Sequence, residues 1–331
     1  MEEGRPTKHH NILLSIRNLT VAFRIPRGIL TAVDDFNLDI YRGECLALVG
    51  ESGCGKSVFA HTILRITDPN EIIKSGEIYF EGKNVFEFNK DELRKYRWRD
   101  VSIIFQGAMN SLNPILRVLD HMIDTVQAHE KTDKEEIVKR STNLLSQVRL
   151  DAKAVLNRYP HELSGGMKQR VVSAMAMLLQ PKLIILDEPT SALDMLTQKF
   201  FIRILSEIKR KTNITMIFIT HDIATVAEIA DRVAVMYAGK IVEVGDVNDI
   251  FYRPVHPYTR ALLSSIPSIV GDVNKFKPIP GRPPDPVNPP PGCRFHPRCP
   301  FRVDICSREI PKLIEVRKGQ LVACHRAREF V

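Results

Sequence analysis

Residues Cys45 to Val49 form a short, wholly apolar run that leads straight into Gly50-Glu51-Ser52-Gly53-Cys54-Gly55-Lys56-Ser57. No other feature of the chain restricts its fold as much. The run is too short for a helix and too apolar for a half-exposed strand, so it predicts a strand buried on both faces. The octapeptide matches G-x-x-x-x-G-K-[ST], and a helical pattern begins near Lys56. Strand, glycine loop and helix in that order make a phosphate cradle. Glycines let several backbone N–H groups turn inward, and the helix N-terminus adds its positive dipole end. Here Gly50, Ser52, Gly53, Cys54 and Gly55 build the cradle. Lys56 reaches β- and γ-phosphates, and the Ser57 hydroxyl ligates Mg²⁺.

A second run, Leu183-Ile184-Ile185-Leu186, ends in Asp187-Glu188. Such a strand would deliver Asp187 to hold Mg²⁺ through its water shell and Glu188 to polarise an attacking water. A third run covers Met216 to Ile219, and helical stretches separate the three. This alternation predicts a parallel sheet with crossover helices. Residues 12–24 read as a strand-pair region, continued by Phe36 to Ile40. Residues 109–160 are mostly helical in pattern, as in Lys134 to Val148, and read as an insertion between two parts of the sheet. No internal repeat is visible.

The 331 residues suffice for one large α/β domain and a small appendage, and 44% hydrophobic with 26% charged residues is ordinary for a folded chain. No apolar run approaches the roughly 18–20 residues of a membrane span. Met1 to His10 is polar and lacks the apolar core of a signal peptide. The expectation is a cytoplasmic chain that reaches a membrane only through another chain. The formal charge of +8 suits anions or anionic lipid. Without a compact basic block, no nucleic-acid partner is expected. The densest basic cluster, Arg94, Lys95, Arg97 and Arg99, is interrupted by Tyr96 and Trp98 and reads as a solvated helix face.

Further along, Leu163-Ser164-Gly165-Gly166-Met167-Lys168-Gln169-Arg170 resembles the signature sequence of ABC ATPases. Gln106, after the apolar run Val101 to Phe105, resembles the Q-loop glutamine. Ser191-Ala192-Leu193-Asp194 resembles the D-loop, and His221 in Ile219-Thr220-His221-Asp222 the switch histidine. Phe23 occupies the place of the aromatic that stacks on adenine, where tyrosine is commoner. The resemblance covers roughly residues 12–265. It implies an α/β fold: a P-loop ABC ATPase domain over residues 12–270, with a mainly parallel RecA-like sheet, an antiparallel β region and a helical subdomain inserted at about 109–164. It implies a head-to-tail dimer in which ATP lies between the phosphate loop of one subunit and Ser164, Gly165 and Gly166 of the other. Asp194 of the D-loop would be among the nucleotide-binding residues. Glu188, His221 and Gln106 would be the catalytic group, with Gln106 also contacting the metal.

Asn110-Ser111-Leu112-Asn113-Pro114 and His256-Pro257-Tyr258-Thr259-Arg260-Ala261-Leu262 resemble segments of oligopeptide and dipeptide importers. Gly107-Ala108 departs from that subfamily, where an acidic residue and proline are more usual. The resemblance implies two transmembrane permease subunits, a homologous second ATPase subunit or a second copy, and a separate solute-binding protein. Import of nickel or another small solute is the alternative. A non-transport ABC ATPase would carry a long coiled coil where only about 55 residues separate Gln106 from Leu163. A regulatory subunit would tend to lose Glu188 or His221.

The composition breaks near Gly271, and from Pro278 to Gly292 almost every second residue is proline, which predicts a stiff connector. Residues 271–331 are thus read as connector plus Cys-rich extension. The run Gly292 to Pro300 resembles the same importers. Four of the six cysteines, Cys293, Cys299, Cys306 and Cys324, are separated by five, six and seventeen intervening residues. A reducing compartment points them to metal, and the lack of a close C-x₂₋₄-C pair favours a [4Fe–4S] cluster over the alternative, Zn²⁺. Residues 293–331 are too few to bury a core alone, so a metal is expected to staple them. Cys299→Ser is expected to lose the cluster and loosen the tail yet leave ATP binding at Lys56 largely intact, because the two sites share no residue.

Overall fold

The computed structural model describes residues 12–265 and 279–331, so the break near Gly271 and the start of the connector at Pro278 lie outside the described residues. Strands β1 (Ile12–Ile25) and β2 (Gly28–Tyr41) form a long antiparallel hairpin. Residues 12–24 are therefore one strand of a pair, because the first turn comes only at Pro26-Arg27. The apolar strand β3 (Cys45–Val49) runs through the glycine loop into helix α1 (Lys56–Ile63). Next come β4 (Glu71–Phe80) and β5 (Lys83–Asn84), which complete a four-stranded sheet in the order β2-β1-β4-β5.

Helix α2 (Lys90–Lys95) starts with a capping box from Asn89 and Glu92. It does not continue through the basic cluster, since Arg97 is extended and Trp98 has φ 71°. Tyr96 is buried, and its hydroxyl donates to the Ile63 carbonyl at 3.0 Å. Arg97 donates to the carbonyls of Leu64 and Arg65 at 2.8 and 2.6 Å. Tyr96 and Arg97 thus satisfy open carbonyls at the end of α1, while Arg94, Lys95 and Arg99 stay exposed as expected.

Strand β6 (Val101–Ile104) is followed by α3 (Val118–Gln127), α4 (Lys134–Gln147), α5 (Ala152–Val155) and α6 (Gly165–Ala176) before β7 (Leu183–Asp187). Then come α7 (Met195–Thr212), β8 (Thr215–Thr220), α8 (Ile223–Ile229), β9 (Arg232–Tyr237), β10 (Lys240–Asp246), α9 (Val247–Tyr252) and α10 (Pro257–Ser264). Strands β6, β7, β8, β3 and β9 pair in parallel, and β10 returns antiparallel to β9. The strand period explains the unbroken apolar runs. Ile184, Leu186, Met216 and Phe218 enter the core shared with α3 to α7, whereas Leu183, Ile185, Ile217 and Ile219 enter the core shared with the hairpin and α1.

The tail extends this sheet. Strands β11 (Ile314–Arg317) and β12 (Gln320–Val322) give the order β11-β12-β10-β9-β3-β8-β7-β6. Glu243 pairs with Val322, and the Ala323 amide donates to the Val242 carbonyl at 2.8 Å. Phe295 is 1% exposed and packs its ring against Tyr237 and Tyr258. The tail thus shares the core of the larger unit, and a metal staple is not needed to explain its fold.

Candidate active site

The parallel strands end together, and their ends carry the candidate residues, as is usual for a sheet of this kind. After β3, the loop turns on glycine geometry: Gly50 has φ 158° and Gly55 φ 109°. A Cβ at Gly55 would stand 2.1 Å from the Ala32 carbonyl oxygen of β2, so the hairpin packs directly on the loop. Ser52 and Gly53 are exposed and Cys54 is buried. Lys56 is 5% exposed, and its Nζ donates to the carbonyls of Gly50 and Glu51 at 2.8 and 3.1 Å. The loop is thereby closed round its own lysine. Phe23 is half-buried on β1, paired with Leu30, two residues along the hairpin from Ala32.

Strand β7 brings Asp187 to α1. The Ser57 hydroxyl donates to Asp187 Oδ1 at 3.1 Å, and His61 Nε2 lies 3.9 Å from Oδ2. Burial pushes the Asp187 pKa up, and the Ser57 hydrogen bond and His61 oppose it. This pair of hard oxygen donors fits Mg²⁺, which takes few protein ligands and keeps several waters. His61 lies outside every motif of the sequence. Its position four residues after Ser57 on a helix would have placed it on the same face.

Beside this pair, three separate loops meet. Gln106 Nε2 donates to Glu188 Oε2 at 3.0 Å, and His221 Nδ1 lies 3.2 Å from Glu188 Oε1. Each carboxylate oxygen of Glu188 is thus held by one partner. Its backbone has φ 46°, a sparsely populated region for a non-glycine residue. The Glu188 amide donates to Ile219 at 3.0 Å, and its carbonyl accepts from the Ser191 hydroxyl at 3.1 Å.

The signature residues lie elsewhere. Ser164 caps α6 by accepting from the Met167 amide at 3.3 Å, and Asp194 caps α7 by accepting from Leu196 and Thr197. Ser164, Gly165, Gly166 and Asp194 line one open depression, with no phosphate-loop residue in its wall. Met195 and Leu196 beside it are 72% and 80% exposed.

Residues 33–191 match the family described as ABC transporter, and residues 242–306 match the oligopeptide/dipeptide transporter C-terminal region. The chain is 46% identical over 316 residues to the dipeptide transport ATP-binding protein DppD of Caldanaerobacter subterraneus subsp. tengcongensis, covering 95% of this chain and 97% of that one. It is 42% identical to the oligopeptide transport ATP-binding protein OppD of Escherichia coli, covering 95% and 93%. The chain belongs to the ABC transporter family of ATPases. Its fold superposes on the dimeric bacterial ABC transporter cassette MJ0796 with a TM-score of 0.63 at 28% identity, covering 71% of this chain and 98% of that one. For cbiO1 from Clostridium perfringens, part of the ABC transporter complex cbiONQ, the TM-score is 0.64 at 29% identity, covering 74% and 93%. None of the described helices of this ABC ATPase is long and apolar enough to cross a membrane.

The tail of the ATPase reaches its phosphate loop. Arg298 donates to both carboxylate oxygens of Glu51, at 2.8 and 3.0 Å, and to the Tyr237 hydroxyl at 3.2 Å. Tyr258 accepts from the Glu51 amide at 3.0 Å. Tail and loop are therefore in direct contact, although the cysteines and the loop share no residue, and Arg298 directly precedes Cys299. Nothing local in the sequence signals a pair 247 residues apart.

The four tail cysteines are neighbours. The Cys293 amide donates to the Cys306 carbonyl at 2.8 Å. Burial raises the thiol pKa values, Cys293 to about 12, Cys324 to about 11 and Cys299 in the same direction, and the other thiols add to the rise. Neither the [4Fe–4S] expectation nor the Zn²⁺ alternative gains support from the geometry. Among the described residues no group of three or more His, Cys, Asp or Glu side chains could hold a metal ion.

Proposed function

We propose that this chain is the peripheral, cytoplasmic-face motor of a peptide importer, coupling ATP binding and hydrolysis to uptake of dipeptides or oligopeptides. The observation that carries the catalytic part is the meeting of Gln106, Glu188 and His221 beside the Ser57–Asp187 pair. In this reading Lys56 leaves the Gly50 and Glu51 carbonyls for the β- and γ-phosphates, and loop amides bind the remaining oxygens. Mg²⁺, when bound through Ser57 and Asp187, offsets phosphate charge. Glu188 accepts a hydrogen bond from the attacking water and orients it in line, while His221 donates toward the γ-phosphate. Gln106 holds Glu188 and links it to the helices after β6. Phe23 stacks on adenine.

The peptide part rests on the printed names of the relatives and on the matched C-terminal region. Partners in this reading are two transmembrane permease subunits, a homologous second ATPase and, indirectly, a solute-binding protein. Because Ser164, Gly165, Gly166 and Asp194 face a depression apart from their own phosphate loop, a second ATPase subunit is proposed to bring its nucleotide there. The exposed Met195 and Leu196 suit such an interface. In domain terms we propose residues 12–270 as the ATPase unit, with an inserted helical subdomain at about 109–164 and residues 271–331 as its extension.

Ser164→Arg tests this assembly. Hydrolysis by the assembled transporter should fall by about 100-fold, as when a transition-state donor is removed, and uptake of a radiolabelled dipeptide should fail with it. Nucleotide affinity of the isolated subunit should stay within about twofold. An equal collapse of subunit affinity would mean that Ser164 contacts nucleotide in its own chain.

For Cys293, Cys299, Cys306 and Cys324 we retain an iron–sulfur cluster as a proposal. Its support is the count and spacing of the four cysteines, which lack the close C-x₂₋₄-C pair usual in zinc sites and would hold such a cluster as thiolates. Metal analysis of protein purified without oxygen should find about four irons per chain, lost in Cys299→Ser. Protein free of iron would remove the proposal, and one zinc per chain would replace it.

A further inference from the structure

Glu51 is the second residue of the phosphate loop, and three parts of the fold hold it. Its N–H donates to Tyr258 Oη on α10, and its carbonyl accepts from Lys56. Its carboxylate takes the two-pronged guanidinium of Arg298, whose Nε is in turn bonded to the Pro280 carbonyl at 2.7 Å. The Arg298 side chain is only 6% exposed and that of Glu51 23%, so solvent screens the pair weakly. Arg294, one turn earlier, pairs with Asp34 and bonds the Ala238 carbonyl, which pins the same segment to the hairpin and to the end of β9.

The arrangement answers two physical problems of the loop. Gly50 before Glu51 and Gly53 two residues after it have φ 158° and 77°, glycine backbone whose freedom contacts must confine. In addition, a carboxylate within the loop would repel the phosphates the loop must bind unless a cation neutralises it. We propose that Arg298 is a positioning residue for the phosphate loop, neutralising and anchoring Glu51, so that the Cys-rich tail sets nucleotide affinity. The inference rests on the reading of the loop as the ATP site.

The test is binding of a fluorescent N-methylanthraniloyl-ADP with Mg²⁺ to the full chain, with steady-state ATPase on the assembled transporter. Arg298→Gln should weaken ADP binding by about tenfold, the worth of a charge-assisted hydrogen bond. It should raise KM similarly while kcat at saturating ATP changes less than about twofold, because the catalytic group is not touched. Adding Glu51→Gln to Arg298→Gln should recover part of the lost affinity, since the unpaired carboxylate is then gone. A purely structural role for Arg298 would give no such rescue. Arg298→Lys keeps the charge and stem but loses the fork, and should lose about threefold; it covers the case in which Arg298→Gln does not fold. Wild-type affinity in Arg298→Lys and Arg298→Gln, or no rescue by Glu51→Gln, would overturn the proposal. Failure of the wild type itself to bind ADP would instead overturn the ATP-site reading.

Discussion

Glu188→Gln lowers steady-state ATP turnover by about 10²–10⁴-fold, the range for loss of a positioned proton acceptor, and leaves ATP affinity nearly unchanged. Glutamine keeps the shape of the side chain and can still meet Gln106, 3.0 Å away, by an amide flip. What it loses is a carboxylate able to accept the water's hydrogen bond as negative charge shifts to the phosphate. The cradle formed by the glycine loop, Lys56 and Ser57 is untouched. ATP-bound dimer should therefore accumulate, visible by size-exclusion chromatography with ATP but not with ADP. The preset geometry strengthens the expectation. Holding Glu188 at φ 46° costs on the order of 1 kcal/mol, and bonds to Ile219 and Ser191 maintain it. Wild-type turnover in the variant would remove Glu188 from the catalytic group.

Glu243→Ala destabilises the fold by about 3 kcal/mol or more, the sum expected when several buried donors lose one acceptor. Glu243 is fully buried on β10. Its Oε1 accepts from the Val255 amide and from Gln320 Nε2, each at 2.9 Å, and its Oε2 from the His256 amide at 2.9 Å. One carboxylate thereby ties β10 to the start of α10 and to β12 of the tail. His256 is itself locked neutral: burial lowers its pKa to about 3, and its Nδ1 accepts from the Tyr258 amide at 3.0 Å, capping α10. Chemical denaturation should report the loss, and limited proteolysis should release the tail first. Glu243→Gln should be milder, since it keeps one acceptor. A change below about 1 kcal/mol in Glu243→Ala would show that water replaces the carboxylate.

The two residues differ in how legible they are in the sequence. Glu188 stands at the end of an apolar run, directly after Asp187, and both its run and the glycine loop are local patterns. Local patterns are set by strand pleat, helix period and glycine backbone freedom, which act over a few residues. They suffice to place β3, β7 and β8 and the phosphate loop at one end of a sheet, whereas Gln106 and His221 are legible only through the resemblance to ABC ATPases. Glu243 sits in Lys240 to Asp246, a segment whose sequence gives no hint that its acidic residue is buried. Its burial depends on donors from Val255, His256 and Gln320, which only the folded chain assembles.

The chain order alone therefore determined the nucleotide-binding architecture, because each of its parts carries its own short-range chemical signature. Tertiary structure alone decided the fate of the basic cluster, where Arg97 turned from solvent to the carbonyls of Leu64 and Arg65. It also decided the fate of the tail, which became the edge of the main sheet through β12 and a brace on Glu51 through Arg298. Sheet edges and buried ion pairs are filled by whichever segment closes on them with complementary groups. That selection is made by packing over the whole chain, and no window of neighbouring residues encodes it.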